Sequence, residues 1–204
     1  MKAVIALVEN LKKDPISEVI NSRTQEFEEL GKKSKEEIFK ELCFCLLTAN
    51  FSASGGIKIQ NEIEDGFSVL PKEEIAAKLR ELGHRFPNVR AEYIYLARAS
   101  FPKINFNSEN VRGEVVENIK GLGMKESSHF LRNIGFSDYA IIDFHIVDFL
   151  VKQGLLEKPK VKQINPKKYL EIETLLREIA EATDLSLGEL DLYLWYLETG
   201  KVLK

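Results

Sequence analysis

A chain of 204 residues with 44% hydrophobic and 30% charged side chains suits one large domain or two small lobes, and it carries too much apolar content for a disordered chain. Nowhere do about 18 apolar residues run together, so no membrane-spanning helix is expected; the apolar start MKAVIALVENLKKD is interrupted by Glu9 and Lys12 without a small-residue cleavage site, which points to a cytoplasmic protein. The net charge of −3 argues weakly against a nucleic-acid partner, yet it hides a basic stretch at 151–168 (Lys152, Lys158, Lys160, Lys162, Lys167 and Lys168 against Glu157) followed by an acidic one at 169–204. That lysine stretch is equally an ordinary solvated loop or a DNA-facing patch.

Helix signals run from end to end. Ser34 followed by Glu37 has the capping-box pattern, in which hydroxyl and carboxylate each satisfy a free backbone N–H. Ile38, Phe39, Leu42, Leu46 and Leu47 follow at helical spacing. Cys43 and Cys45 lie in this apolar run, with no other cysteine and with His84, His129 and His145 far off in sequence. A zinc site or an iron–sulfur cluster needs about four such ligands, so the two thiols are expected to be packing residues and no metal is expected. Pro71 and Pro87 suit first-turn positions, with Gly83 as the stop between their helices. Further helical segments fall near 109–119, 124–133, 143–153 and 166–182. Ser186 with Glu189 repeats the capping box before a helix that runs through Trp195 to Thr199-Gly200.

No segment shows sustained period-two alternation, so the fold is expected to be all-α. Gly135-Phe136-Ser137-Asp138 breaks the pattern, and Pro159 to Pro166 forms a second, basic loop. A single unit over 1–204 is expected, built as a central helical lobe of about 36–134 and a second lobe from about 1–35 plus 135–204, with a cleft near 134–143.

Residues 114–145, EVVENIKGLGMKESSHFLRNIGFSDYAIIDFHI, carry the chemistry. Gly121-Leu122-Gly123 forms a tight break between two helices, with Leu122 plugged into the core. The second helix starts at about Met124, and its unpaired N–H groups, reinforced by the helix dipole, can hold a phosphate without reading any base. Many helix pairs also turn this way as pure scaffolding. Lys125 taken alone is a surface lysine, set against the dipole's positive end. In a functional site that field and burial would lower the ammonium's pKa and free the amine for attack. Asp143 taken alone is the N-cap of the helix over Phe144–Val151. A carboxylate fixed at a helix start can also face developing positive charge.

The run GLGMKESSHFLRNIGF followed by AIIDFHI resembles the helix–hairpin–helix DNA glycosylase superfamily. More narrowly, LLTANFSAS (46–54), RFPNVRAEYI (85–94) and the closing LSLGELDLYLWYLETGKVLK (185–204) look like the compact archaeal-type 8-oxoguanine DNA glycosylase/AP lyase family. The resemblance spans most of the chain. It implies Lys125 as nucleophile and Asp143 as the essential acid, with Gly121 and Gly123 on the DNA phosphates. It also gives the C-terminal Lys204 a role through its free carboxylate, which can accept hydrogen bonds from the guanine N1–H and N2–H. Trp195 and Phe86 could sandwich an extruded base, or be simple core packing. Relatives with an iron–sulfur cluster carry four cysteines after the aspartate, and none occurs here after Cys45.

The implied activity is excision of 8-oxoguanine followed by strand cleavage 3′ to the abasic site through a lysine Schiff base, with no cofactor. The implied partner is double-stranded DNA containing oxidised guanine, bound by a monomer. Two other readings stay open: a glycosylase/lyase of the same fold for another damaged base, and a non-catalytic protein whose hairpin only grips DNA or packs helices.

Overall fold

A computed structural model describes residues 1–158 and 164–204; Lys160 and Lys162 of the basic stretch lie outside them. The described residues form α-helices, one short 3₁₀ turn at Phe101–Lys103 and no strand. The helices are α1 (Lys2–Leu11), α2 (Ile16–Gly31), α3 (Lys35–Thr48), α4 (Ala53–Ile63), α5 (Gly66–Val69), α6 (Lys72–Glu81) and α7 (Pro87–Ser100). They continue with α8 (Val111–Asn118), α9 (Met124–Asn133), α10 (Phe144–Lys152), α11 (Pro166–Ala182) and α12 (Leu187–Thr199).

Local chemistry sets most of these boundaries. Ser34, Ser52, Asn110, Asp143, Asn165 and Ser186 each accept the backbone N–H three residues on, removing one of the unpaired donors at a helix start. At Ser186 the capping box is complete, because the Glu189 carboxylate also takes the Ser186 N–H at 2.8 Å. At Ser34 it is not: the Glu37 carboxylate turns to the Lys40 ammonium instead, and an ion pair one turn along outcompetes the reach back to the cap. Pro87 opens α7, whereas Pro71 is the N-cap of α6 and lies one residue ahead of its first turn.

The chain divides into two compact units, Leu30–Ile134 and Met1–Glu29 with Gly135–Lys204. In the first, α3 is the central element and contacts α4, α5, α7 and α9, while α6 pairs with α7 and α8 with α9. Phe44, Leu46, Leu47, Ile59, Phe67, Ile94 and Phe130 fill its core. Cys43 and Cys45 form no disulfide and have no exposure, and burial pushes the Cys43 thiol well above its ordinary pKa. In the second unit α12 is the hub, contacted by α1, α10 and α11 around Val4, Val8, Ile146, Leu150, Ile172, Leu176 and Leu190. No helix among the described residues is long and apolar enough to cross a membrane.

The lysine stretch loses part of its charge to local pairing. Lys152 meets Glu198 at 3.1 Å and Lys168 meets Glu171 at 3.1 Å, so acids of the neighbouring segment neutralise what the sequence count treated as a separate patch.

Candidate active site

Lys125 is the second residue of α9. From Ser127 to Asn133 every residue of that helix is buried, so its first turn is the only partly open part. The buried stretch includes Ser127, Ser128, His129, Arg132 and Asn133, which a hydropathy pattern alone would place in water. Ser128, Arg132 and Asn133 are held instead by polar contacts within the unit, whereas the buried Ser127 hydroxyl has no hydrogen-bond partner among the described residues. The Asn133 amide donates to Glu41 Oε1 at 2.6 Å, and Arg132 donates to Asn133 Oδ1 from both Nε (3.0 Å) and Nη2 (2.9 Å). Gln60 donates to the other Glu41 oxygen at 3.1 Å, and Arg112 donates to Ser128 Oγ at 3.2 Å. A satisfied buried network of this kind fixes one orientation of a helix, since any rotation would strand a charge in apolar surroundings. The Lys125 side chain leaves this fixed base 30% exposed, with Nζ 3.7 Å from Glu126 Oε1.

The hairpin before it uses its two glycines for different purposes. Gly121 has φ of 99°, and a Cβ there would meet the Tyr93 ring at 2.3 Å, so both backbone and packing demand glycine. Gly123 has φ −96° and ψ −167°, an extended conformation open to any residue, and its Cβ would meet nothing closer than Glu126 Oε2 at 3.7 Å. The sharp turn expected of both glycines therefore belongs to Gly121. Gly123 is the N-cap of α9 without a side-chain cap, and it leaves room for a ligand to approach the first-turn N–H groups. Leu122 between them is 4% exposed, plugged into the core.

Asp143 is the N-cap of α10: its Oδ1 accepts the Ile146 N–H at 3.0 Å, and the side chain is half-buried. The extended segment leading to it is tied to α11 by two residues that the sequence did not single out. Tyr169 donates from its hydroxyl to the Ala140 carbonyl at 2.7 Å and accepts the Ile142 N–H at 3.2 Å. Glu173 accepts the Ala140 N–H at 3.0 Å. These bonds satisfy a buried non-helical backbone that would otherwise have unpaired polar groups. Neighbouring His145 is exposed and stands edge-on to Trp195, with ring centroids 5.2 Å apart.

The remaining expected residues fall as follows. Trp195 on α12 is half-buried, between the base-stacking and core-packing alternatives. Phe86 is 37% exposed, so it is not core packing; the Arg85 guanidinium lies over its ring at 5.0 Å. Lys204, with Val202 and Leu203, is partly covered rather than fully exposed. Phe86, Gly121, Gly123 and Lys125 belong to the unit Leu30–Ile134, and Asp143, Trp195 and Lys204 to the other. Among the described residues no group of three or more His, Cys, Asp or Glu side chains could hold a metal ion.

A family model described as 8-oxoguanine DNA glycosylase matches residues 20–185. The chain belongs to the 8-oxoguanine DNA glycosylase family. An 8-oxoguanine DNA glycosylase/AP lyase from Methanocaldococcus jannaschii is 54% identical over 207 residues, covering 98% of this chain and 99% of that protein. A protein of the same description from Korarchaeum cryptofilum is 54% identical, covering 97% of this chain and 96% of its own length. The crystal structure of the Methanocaldococcus jannaschii glycosylase/lyase in complex with a 15mer DNA containing 8-oxoguanine superposes with a TM-score of 0.92 at 52% identity, over 99% of this chain and 100% of that one. The helix–hairpin–helix fold expected from the sequence is thus the fold of this family.

Proposed function

We propose that this chain excises 8-oxoguanine from duplex DNA and then cleaves the strand 3′ to the abasic site. The observation that carries the reading is likeness to 8-oxoguanine DNA glycosylase/AP lyases over nearly the whole of both chains, at 54% identity. The hairpin geometry supports it: an uncapped helix start with open space at Gly123, followed two residues later by an accessible lysine on a rigid helix.

The proposed chemistry proceeds in four steps. Backbone N–H groups at Gly123 and the first turn of α9 hold a phosphate, and the damaged nucleotide is extruded from the duplex. The neutral amine of Lys125 attacks the sugar C1′ while the C1′–N9 bond breaks and its electron pair leaves with the base. The Asp143 carboxylate stabilises the positive charge that develops on the sugar. The adduct then loses a proton and its C1′–O4′ bond opens, giving a Schiff base between Lys125 and C1′. Loss of a C2′ proton from that Schiff base expels the 3′ phosphate by β-elimination. Trp195 and Phe86 stack on the extruded base, and the Lys204 carboxylate accepts the guanine N1–H and N2–H. In this reading the unit over 1–204 acts as a monomer in the cytoplasm, where it meets oxidised DNA.

Lesion choice is tested with defined duplexes containing 8-oxoguanine, thymine glycol or 3-methyladenine. Fastest single-turnover excision of 8-oxoguanine is expected. Preference for either other base would replace the substrate, and salt-sensitive binding without excision would make the chain a DNA-binding module.

A further inference from the structure

The loop between α6 and α7, Gly83-His84-Arg85-Phe86, holds a histidine that the reaction above does not use. His84 is only 4% exposed, and both of its ring nitrogens are engaged. Nδ1 accepts the Phe86 backbone N–H at 3.0 Å, and Nε2 lies 3.0 Å from the Leu47 carbonyl at the end of α3. An amide can only donate and a carbonyl can only accept, so one form of the ring fits both partners: neutral, with its proton on Nε2. The Phe51 ring packs over the imidazole at 4.4 Å, closing it between the α3–α4 loop and the turn into α7. Protonating Nδ1 would set two N–H groups against each other and break the bond that fixes the Phe86 backbone.

Phe86 itself faces outward, beneath the Arg85 guanidinium. Its φ of −129° and ψ of 58° lie outside the helix that it caps; its carbonyl accepts the first helical bond, from the Arg90 N–H at 3.1 Å, while its own N–H is held by His84. We propose that His84 is a positioning residue that presents the Phe86 ring to the extruded base, and that it does so only as the neutral, Nε2-protonated imidazole. The proposal rests on Phe86 as a base-stacking residue.

The charges around His84 favour the neutral form. Burial is the main cause that lowers its pKa below the ordinary 6.5; the Leu47 carbonyl opposes it, and the buried Arg90 guanidinium on α7 makes a smaller addition to the lowering. Arg85 is the other charge on its own loop, while α3 and the loop after it contribute the Leu47 carbonyl and Phe51 ring, neither of which titrates. The neutral imidazole therefore persists down to pH values below 6.5 and is lost on further acidification.

The test compares His84→Leu, His84→Gln and Phe86→Ala on two substrates: a duplex with 8-oxoguanine, where a base is present to stack, and one with a preformed abasic site, where none is. His84→Leu and Phe86→Ala are expected to lower single-turnover base excision about tenfold, with borohydride trapping on the abasic site changed less than twofold. His84→Gln retains a donor and an acceptor, so it should recover most of the excision. It should also abolish the extra loss of excision, relative to abasic-site trapping, that acidification through the lowered His84 pKa is expected to cause in the wild type. Adding His84→Leu to Phe86→Ala should have no further effect on excision. Equal losses on both substrates with no recovery in His84→Gln would reduce His84 to a structural residue and overturn the proposal. So would wild-type excision by His84→Leu beside an impaired Phe86→Ala. If Phe86→Ala itself excises normally, the base-stacking assignment fails first and takes the proposal with it.

Discussion

Lys125 and Asp143 each stand at the start of a helix, but the two helix starts are closed differently. Asp143 is itself the cap of α10, fixed by its bond to the Ile146 N–H and by the Tyr169 and Glu173 bonds to the segment before it. Lys125 makes no cap; α9 begins at Gly123 with no side-chain cap, and its position comes from the buried polar network farther along the helix. A side chain proposed for chemistry can thus be held by its own hydrogen bond or by the rigidity of its carrier. The first arrangement couples function to local folding, and the second separates them.

Substitutions at the two sites sharpen this contrast. Asp143→Asn removes the charge but retains a good cap, so excision of 8-oxoguanine should fall about a hundredfold with thermal stability unchanged. Equal excision by this variant would remove Asp143 from the chemistry. Gly121→Ala is expected to cost about 1–3 kcal/mol in denaturant unfolding, because a left-handed backbone and the Tyr93 ring both oppose a side chain there. Asp143→Ala should add about 1 kcal/mol of instability that Asp143→Asn does not show, which is the value of the cap alone. Gly123→Ala should change stability by about 0.5 kcal/mol or less yet weaken salt-sensitive DNA binding, since the space beside it is open and, in the proposed function, is where the phosphate approaches. Equal stability losses at Gly121 and Gly123 would erase the division of labour between the two glycines.

Much of the fold was legible in the sequence because helix ends are local. Ser186 with Glu189 and Gly200 mark boundaries that the structure places where those residues stand, and the helix expected near 166–182 spans Pro166–Ala182. The hairpin and the cap role of Asp143 were visible for the same reason, whereas the pairing of Lys125 with Asp143 as reactive groups came from the family resemblance and not from local pattern. What holds α9 was not visible, because Glu41 and Asn133 are 92 residues apart and each looks like a solvated polar residue in its own segment. Tyr169 and Glu173 escaped notice likewise: their partners are backbone atoms of Ala140 and Ile142, some 30 residues away, and backbone partners leave no mark in side-chain pattern. His84 has the same character, since its two partners are a carbonyl and an amide. The exchange of Glu37 from cap to ion pair shows the reverse limit, where a local motif loses to a neighbour one turn away.

The proposed chemistry requires Lys125 as the nucleophile. Borohydride reduction during turnover of an 8-oxoguanine duplex should trap a covalent protein–DNA adduct that peptide mapping places on Lys125. Lys125→Gln should give no adduct while retaining wild-type stability, because the side chain takes no part in holding α9. An adduct of undiminished yield in Lys125→Gln, or one mapped to another lysine in the wild type, would contradict it.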